Sequence, residues 1–194
     1  MRKRVRCLLI ALYGVLLIFV VGCGAAPQPQ SANSNDRISP VNAPLTAVDW
    51  ANFTYFSSCY ENTHPFHTKH GTAVNDYVHF RVFLPPKYGD LTGDEQPEAV
   101  VPYQCSAADT RGVHVFVYTG NASHVRLLGD LPPPNAEGAF DNVTGITMSH
   151  QELHLEGDGY SSHAAHCCPD LFIKTSYRWN GKEFVPGPSN ISRR

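Results

Sequence analysis

Apolar and polar residues alternate with a period of two through most of the chain after residue 45, and this alternation constrains the fold more than any other feature. One apolar set spans residues 78–84, and a second occupies Val113, Val115 and Val117. Successive side chains of a β-strand point to opposite faces of a sheet, so this spacing predicts strands with one buried face. No window of about 11 residues shows apolar side chains at helical spacing. The domain is therefore predicted to be mainly β.

Further short strands are predicted between clusters of Gly, Pro and Asn, at residues 98–105, 125–128, 143–150 and 153–156. Only residues 45–52 suit a short helix, since prolines interrupt the other candidates. The expected fold class is mainly β, a single antiparallel sheet system, curled or two-layered, with little helix.

The clearest hairpin signal is Asn180-Gly181, which lies between predicted strands at 171–179 and 182–185. Asn-Gly supplies the two positive φ angles of a type I′ turn. A two-residue turn at this point predicts that Tyr177 pairs with Phe184.

The N-terminus carries four basic residues within its first six positions, followed by an uncharged apolar run over residues 7–21. The run holds about 15 residues, short of the roughly 20 that a helix needs to cross a bilayer. This layout is typical of a signal peptide that is removed after export. We predict a signal segment at residues 1–22.

Small residues then precede a cysteine in the sequence Val20, Val21, Gly22, Cys23, Gly24. The segment resembles the lipobox of bacterial lipoproteins, in which the cysteine becomes the new N-terminus. This resemblance implies lipid attachment, with acyl chains such as palmitate, at Cys23. Two or more acyl chains hold a protein on a membrane without a spanning helix. An ordinary signal peptide or an uncleaved anchor is the alternative.

Residues 23–44 are poor in apolar side chains and rich in Pro, Gln, Ser and Asn. Such a segment does not bury enough surface to offset its ordering entropy, so we predict a flexible linker after the lipidated cysteine. Residues 45–194 then form one β-rich extracytoplasmic domain, which is long enough for a single core.

Charge narrows the range of partners. Removal of residues 1–22 leaves 11 basic against 17 acidic residues, a net charge near −6 with neutral histidines. An acidic chain argues against nucleic acid as a partner. It also argues against electrostatic docking on anionic headgroups, so the predicted membrane contact runs through the N-terminal lipid. The expected location is the extracytoplasmic face of the cell membrane.

Three motifs follow one another along the domain: VDWANFTY at 48–55, GDLTGD at 89–94, and Cys167-Cys168-Pro169 before the YRWNG hairpin at 177–181. This ordered set resembles the LppP/LprE-type lipoproteins of actinobacteria, and the resemblance covers residues 48–185. It implies a location and a fold, but no activity and no catalytic residues. The chain departs from the pattern in its histidine-rich stretch from 64 to 70.

The predicted extracytoplasmic domain contains four cysteines, Cys59, Cys105, Cys167 and Cys168. An even number in an oxidising compartment is typical of a disulfide framework. Neighbouring cysteines rarely bond each other, so we expect Cys167 and Cys168 each to pair with Cys59 or Cys105, in an order that the sequence leaves open. The alternative is a redox or thiol-ligand pair at 167–168, with histidines at 163 and 166 nearby.

Oxygen-bearing side chains occupy alternate positions from 90 to 98, namely Asp90, Thr92, Asp94, Gln96 and Glu98. Such spacing is how a loop wraps oxygen ligands around Ca²⁺. The sixth position holds Glu95, where a calcium loop favours Gly. A plain polar turn that leads into a strand is the alternative interpretation.

Ten histidines are present, and three of them recur at every third position as His64, His67 and His70. Imidazole is a good ligand for Zn²⁺ and Cu²⁺. A zinc site needs three or four converging ligands, and solvated surface histidines are the alternative.

The sequence contains no motif of a serine or zinc hydrolase. We therefore predict a non-catalytic binding or structural module, without a cofactor, rather than an enzyme. A metal-binding envelope protein that uses the 90–98 segment or the histidine cluster is the first alternative. An envelope hydrolase of unrecognised type is the second.

Overall fold

The computed structural model describes residues 43–57, 59, 64–83, 85–107, 110–131, 140–165 and 167–194. The predicted signal segment and lipid-attachment cysteine, and all but the last two residues of the predicted linker, lie outside these ranges. No helix in the described ranges has the length and apolar character that a membrane crossing requires.

Within these ranges the chain forms thirteen β-strands. They are β1 (Thr54–Ser57), β2 (His64–His67), β3 (Thr72–Asn75), β4 (Val78–Val82), β5 (Lys87–Gly89), β6 (Glu98–Ala107), β7 (Thr110–Asn121), β8 (His124–Leu131), β9 (Phe140–Ser149), β10 (Glu152–Gly159), β11 (Leu171–Trp179), β12 (Phe184–Pro186) and β13 (Asn190–Arg193). Two 3-10 turns, Leu45–Ala47 and Trp50–Asn52, stand where the sequence suits a short helix.

The strands form two antiparallel sheets. Strands β1 and β2 make a separate hairpin, and the others follow the order β12-β11-β10-β9-β7-β6-β4-β3, with β13 beside β11, β5 beside β6 and β8 beside β7. The sheets are not closed into a barrel. The prediction of a mainly β, antiparallel fold with little helix is confirmed.

The hairpin of β6 and β7 is buried on both faces. One face contributes to a first core, which includes Val101, Tyr103 and Phe116. The other face contributes to a second core, which includes Val100 and Val115. The alternation predicted one buried face for residues 113–118, and this was wrong because apolar layers cover the hairpin from both sides.

Aromatic rings fill the first core beneath the β1–β2 hairpin. The rings of Tyr103 and Phe116 stack with centroids 3.9 Å apart, and those of Phe66 and Phe80 stack at 4.6 Å. The buried Tyr55 hydroxyl donates a hydrogen bond of 2.6 Å to the Trp50 carbonyl, which holds the second 3-10 turn over the core. Stacked rings with satisfied hydroxyls bury large apolar areas without leaving polar atoms unpaired.

The sheet bends where β7 passes from one neighbour to the next. Strand β7 pairs with β8 from Val115 onward, but it meets β9 only through Val113 and Phe140. Strand β9 then pairs with β10, with two register irregularities between Phe140 and Gly145 and a regular ladder from Gly145 to Ser149. This narrow junction lets β9, β10 and β11 fold back and enclose the second core.

The turns differ from the predicted ones. Trp179 pairs with Phe184, so four residues connect β11 to β12, and the predicted Tyr177–Phe184 register was wrong. The Asn180 side chain accepts hydrogen bonds from the N–H groups of residues 182 and 183, which favours the longer loop. A two-residue turn with both φ angles positive instead joins β9 to β10, at His150 and Gln151.

The disulfides also differ from the expected pairing. Cys59 bonds to Cys105 within the first core, where both residues are buried, and Cys167 bonds to its neighbour Cys168. The expectation that the neighbouring cysteines each pair with Cys59 or Cys105 was wrong. The physical reason is that Cys105 points into the first core beside Cys59, whereas the other two lie in the exposed segment before β11.

Replacing the buried pair, as Cys59→Ser with Cys105→Ser, is expected to lower the free energy of unfolding by about 4 kcal/mol. The bond spans a sequence separation of 46 residues, and its loss restores conformational entropy to the unfolded chain. Urea denaturation followed by tryptophan fluorescence measures the change. The matched control is Cys167→Ser with Cys168→Ser, because neighbouring residues enclose almost no chain. An equal loss in the two variants would contradict the prediction.

Candidate functional site

Strand β10 separates an apolar face from a polar one. Leu153 and Leu155 point into the second core, and they alternate with Glu152, His154 and Glu156 on the opposite face. Because β9 and β10 hydrogen bond in regular antiparallel register, polar side chains of neighbouring strands align in rows across this face.

Two such rows lie next to each other. His154 of β10 lies between Thr147 of β9 and Ser176 of β11. Glu156 lies between Gly145 and Lys174 in the next row. The three strands therefore bring hydroxyl, imidazole, carboxylate and ammonium groups together from distant parts of the sequence.

A groove with a volume of about 830 Å³ runs beside these rows. The residues that line it are Gly145, Thr147, His154, Leu155, Glu156, Lys174, Thr175, Ser176, Pro188, Ser189, Asn190 and Ile191. One wall is the segment between β12 and β13. It is fixed to β11 because the Gly187 N–H donates to the Ser176 carbonyl at 2.7 Å and the Ser189 and Thr175 hydroxyl oxygens lie 3.0 Å apart.

Opposite charges line the groove at one row. The Lys174 Nζ lies 3.0 Å from Glu156 Oε2, and both side chains remain substantially exposed. Gly145 makes room for this pair, because a Cβ atom there would lie 2.5 Å from Glu156 Cγ. An exposed ion pair of this kind contributes little to stability, so its two charges stay accessible to a ligand.

Glu152 lies just beyond the groove and carries a negative charge at neutral pH. A hydrogen bond from Ser176 lowers the pKa of this carboxyl, and the nearby His154 and Arg178 lower it further. Arg178 Nη2 is 3.4 Å from Glu152 Oε2. The Glu152 carboxylate therefore borders the end of the groove, and it already interacts with Ser176 and Arg178.

Ser149, His154 and Glu152 are the residue types found in a hydrolytic triad, but their side chains are not arranged as in a triad. Ser149 Oγ lies 3.4 Å from His154 Nε2, and Glu152 Oε2 lies 3.9 Å from that same nitrogen. In a triad the nucleophile and the acid contact different nitrogens of the histidine ring. One nitrogen accepts the proton of the nucleophile, and the other donates a hydrogen bond to the acid, which orients the ring. This grouping does not supply that relay.

A second polar cluster lies at the edge of the first core. Ser57 Oγ donates to the Tyr103 hydroxyl at 3.1 Å, and Tyr103 donates to Asp130 Oδ2 at 2.6 Å. Burial raises the pKa of Tyr103 above its usual value, so the hydroxyl keeps its proton and remains a donor. The cluster thus links β1, β6 and β8 by hydrogen bonds at the edge of the first core.

The predicted calcium loop folds around Glu98, whose side chain is 0 % exposed. Glu98 Oε2 accepts hydrogen bonds from the N–H groups of Leu91 at 2.8 Å and Thr92 at 3.2 Å. Its Oε1 accepts from the Thr119 hydroxyl at 3.1 Å and from the Thr92 hydroxyl at 3.4 Å. Four donors of the chain itself therefore surround this carboxylate.

The aspartates of the same loop also bind backbone groups. Asp90 accepts hydrogen bonds from the N–H groups of Gly93 and Glu95, and Asp94 accepts from Gln96. Gly93 has a φ of 83°, a left-handed conformation that glycine adopts without strain, and it lies against the Gln151 side chain. The GDLTGD motif thus forms a turn that packs on the β9–β10 hairpin.

Histidines of the predicted metal cluster lie near the β1–β2 hairpin. His67 is exposed and its Nδ1 lies 2.8 Å from the Thr54 hydroxyl oxygen. His70 is exposed at a turn with a φ of 53°, while the side chain of His64 lies outside the described part of the structure. Among the described residues, no group of three or more His, Cys, Asp or Glu side chains is arranged to hold a metal ion.

The groove was missed by the sequence analysis. Residues 153–156 were predicted as a strand, and Glu152, His154 and Glu156 were a visible polar set. The sequence pattern did not show which residues lie beside this polar set, because the rows of polar side chains depend on the register of β9, β10 and β11. The alternation within β10 was the only local signal.

The chain matches no family model, no curated protein and no solved structure. The evidence for a function of the groove is therefore its own geometry.

Loss of the buried carboxylate is expected to destabilise the protein. Glu98→Ala leaves the N–H groups of Leu91 and Thr92 without an acceptor, which costs about 3 kcal/mol or more. Glu98→Gln keeps an acceptor oxygen, and its amide donates to the threonine hydroxyls, so we expect a loss below about 1.5 kcal/mol. Chemical denaturation of the three proteins measures both values. Equal losses would contradict the assigned hydrogen bonds.

The pH dependence of Glu98 has a defined sign. Burial raises the pKa of Glu98 above its ordinary 4.5, Asp94 raises it further, and the hydrogen bonds lower it in part. A raised pKa in the fold means that the stability from this group is fully present below pH 4.5 and is lost as pH rises through the folded value. The unfolding free energy of wild type relative to Glu98→Gln should therefore fall as the pH rises above 4.5. A constant difference would argue against a buried charge.

Proposed function

We propose that this protein is a membrane-anchored cell-envelope lipoprotein whose β domain is a non-catalytic binding module. The observation that carries the proposal is the groove along β10 and β11. Three strands and the segment at 187–189 hold its walls in place, so the site exists before a ligand arrives. A preformed concave site with a few converging polar groups is the usual form of a ligand pocket.

The chemistry of the groove favours binding over catalysis. Its polar groups already satisfy one another through exposed contacts, as Lys174 does with Glu156. The grouping of Ser149, His154 and Glu152 beside it places both partners on a single ring nitrogen. Such groups exchange partners easily with a ligand, but they do not activate a nucleophile.

The lining indicates how a ligand would be held. Hydroxyl, amide and charged groups supply hydrogen bonds, whereas the side chains of Leu155 and Ile191 pack toward the second core. No Phe, Tyr or Trp side chain is among the described lining residues. We therefore infer a small polar ligand, bound through hydrogen bonds and charge rather than by ring stacking.

The membrane anchor belongs to the proposal as well. The lipobox-like sequence at 20–24 and the resemblance to LppP/LprE-type lipoproteins both support lipid attachment at Cys23. The acidic character of the remaining chain supports an anchor that depends on acyl chains and not on basic residues. Lipidation at this point leaves the binding domain on the extracytoplasmic side.

Filling the groove is expected to weaken binding while the β domain stays folded. Ser189→Trp places a large ring between β12 and β13, where the native side chain lies on the groove wall. The full-length protein in detergent is titrated with chito-oligosaccharides, short peptides and free amino acids by saturation-transfer NMR. We expect saturable binding of at least one of these probes to wild type, and a loss of about tenfold or more in affinity for Ser189→Trp.

Two variants control this experiment. Ser192→Trp adds the same ring on β13 outside the groove and should retain binding. Ser189→Ala removes the hydroxyl contact with Thr175 without filling the space, so it measures how much of the loss comes from that contact. Absence of saturable binding to wild type, or equal loss in Ser192→Trp, would contradict the groove as the site. Hydrolysis of any probe that disappears in His154→Ala would contradict the non-catalytic proposal.

Cys23→Ser is expected to abolish lipid attachment while leaving the fold intact. The substitution removes the thiol that accepts the lipid, and the predicted domain begins some twenty residues later. Metabolic labelling with a fatty-acid analogue, followed by intact mass of the N-terminal fragment, measures the result. Cys7→Ser is the matched control and should keep its label, because that residue lies within the signal segment. An unlabelled wild-type protein would refute the anchor.

A further inference from the structure

The two disulfides of the described domain differ in accessibility. Cys59 is 6 % exposed and Cys105 is 5 % exposed, and both belong to the first core. Cys167 and Cys168 are both exposed, in the segment that connects β10 to β11. A thiolate in solution can therefore approach one bond but not the other. Exposed disulfides are the labile ones, whereas buried ones resist exchange.

The segment that carries the exposed pair is held independently of its sulfur bond. Asp170 accepts hydrogen bonds from the Ser161 N–H at 2.8 Å and from the Ser161 hydroxyl at 2.7 Å. These bonds lower the pKa of Asp170, so its carboxylate stays ionised at neutral pH. The Ala164 N–H donates to the Ser161 carbonyl within the same loop. Opening of the sulfur bond thus leaves the base of the loop closed.

The bond between neighbours also contributes little as a crosslink. The Cα atoms of Cys167 and Cys168 are 3.8 Å apart because the residues are adjacent, whereas most disulfides join Cα atoms about 4.4–6.8 Å apart. A crosslink stabilises a fold by restricting the unfolded chain, and the effect grows with the length of the loop. The bond between Cys167 and Cys168 encloses almost no chain. A stabilising crosslink therefore does not explain the presence of this disulfide.

We propose that Cys167 and Cys168 form a thiol–disulfide exchange site for a partner that carries a pair of thiols. A thiolate of the partner attacks the sulfur of one cysteine, the bond between Cys167 and Cys168 breaks, and the other sulfur leaves as a thiolate that takes up a proton. The second thiol of the partner then attacks the mixed disulfide. The products are two free cysteines in this protein and an oxidised disulfide in the partner. The activity is separate from ligand binding in the groove.

Dithiothreitol serves as the dithiol probe in a direct test. The folded full-length protein is equilibrated with increasing concentrations, quenched with N-ethylmaleimide, and digested for site-resolved mass spectrometry. We expect Cys167 and Cys168 to be alkylated at a dithiothreitol concentration at least about ten times lower than Cys59 and Cys105. Addition of excess oxidised glutathione before the quench should restore protection of both residues.

Single variants test the exchange step itself. Cys168→Ser leaves Cys167 as a free exposed thiol, which should form a mixed disulfide with oxidised glutathione in the folded protein. Cys59→Ser is the matched control, since it leaves Cys105 free but buried, and it should remain unmodified. Alkylation of the neighbouring pair before any reductant is added would overturn the proposal. Opening of both disulfides at the same dithiothreitol concentration, or failure of Cys167 to react with glutathione, would also overturn it.

Discussion

Burial of both faces of the β6–β7 hairpin is the constraint on which the remaining structure depends. A hairpin that is apolar on both sides needs a cover on each of them, because exposed apolar surface is costly in water. The β1–β2 hairpin covers one side with aromatic rings. The folded-back strands β9, β10 and β11 cover the other. The curl of the sheet and the outward polar face of β10 both follow from this requirement.

The same hairpin carries a buried carboxyl group at its beginning. Glu98 starts β6, and Thr119 near the end of β7 donates to it across the strand pair. The GDLTGD turn supplies the remaining donors and closes over the carboxylate. A sequence pattern with oxygen atoms at alternate positions therefore serves, in the described structure, to satisfy one buried acid. Buried carboxylates demand such saturation because the cost of an unpaired one is large.

The sequence predicted the positions of the strands better than the way in which the strands pair and pack. Alternation and the turn residues between segments located β4 and each strand from β6 to β11, because side-chain direction within a strand is a local property; the short strand β5 was not predicted. The second apolar cover of β7, the Trp179–Phe184 pairing and the Cys59–Cys105 bond depend on contacts between distant segments. The groove depends on such contacts most of all, since its rows combine residues from three strands. The exposed cysteine pair was visible in the sequence, but its accessibility was not.

The outer edge of β11 shows how the fold limits contact with other chains. A long strand with free N–H and C=O groups is a template for pairing with a second molecule. Here that edge is occupied by two short strands, β12 and β13, separated by a non-strand segment. Pro186 and Pro188 lie in this cover and have no N–H to offer. The surface that borders the groove is thereby protected from edge-to-edge aggregation, so molecules crowded together can keep their grooves open.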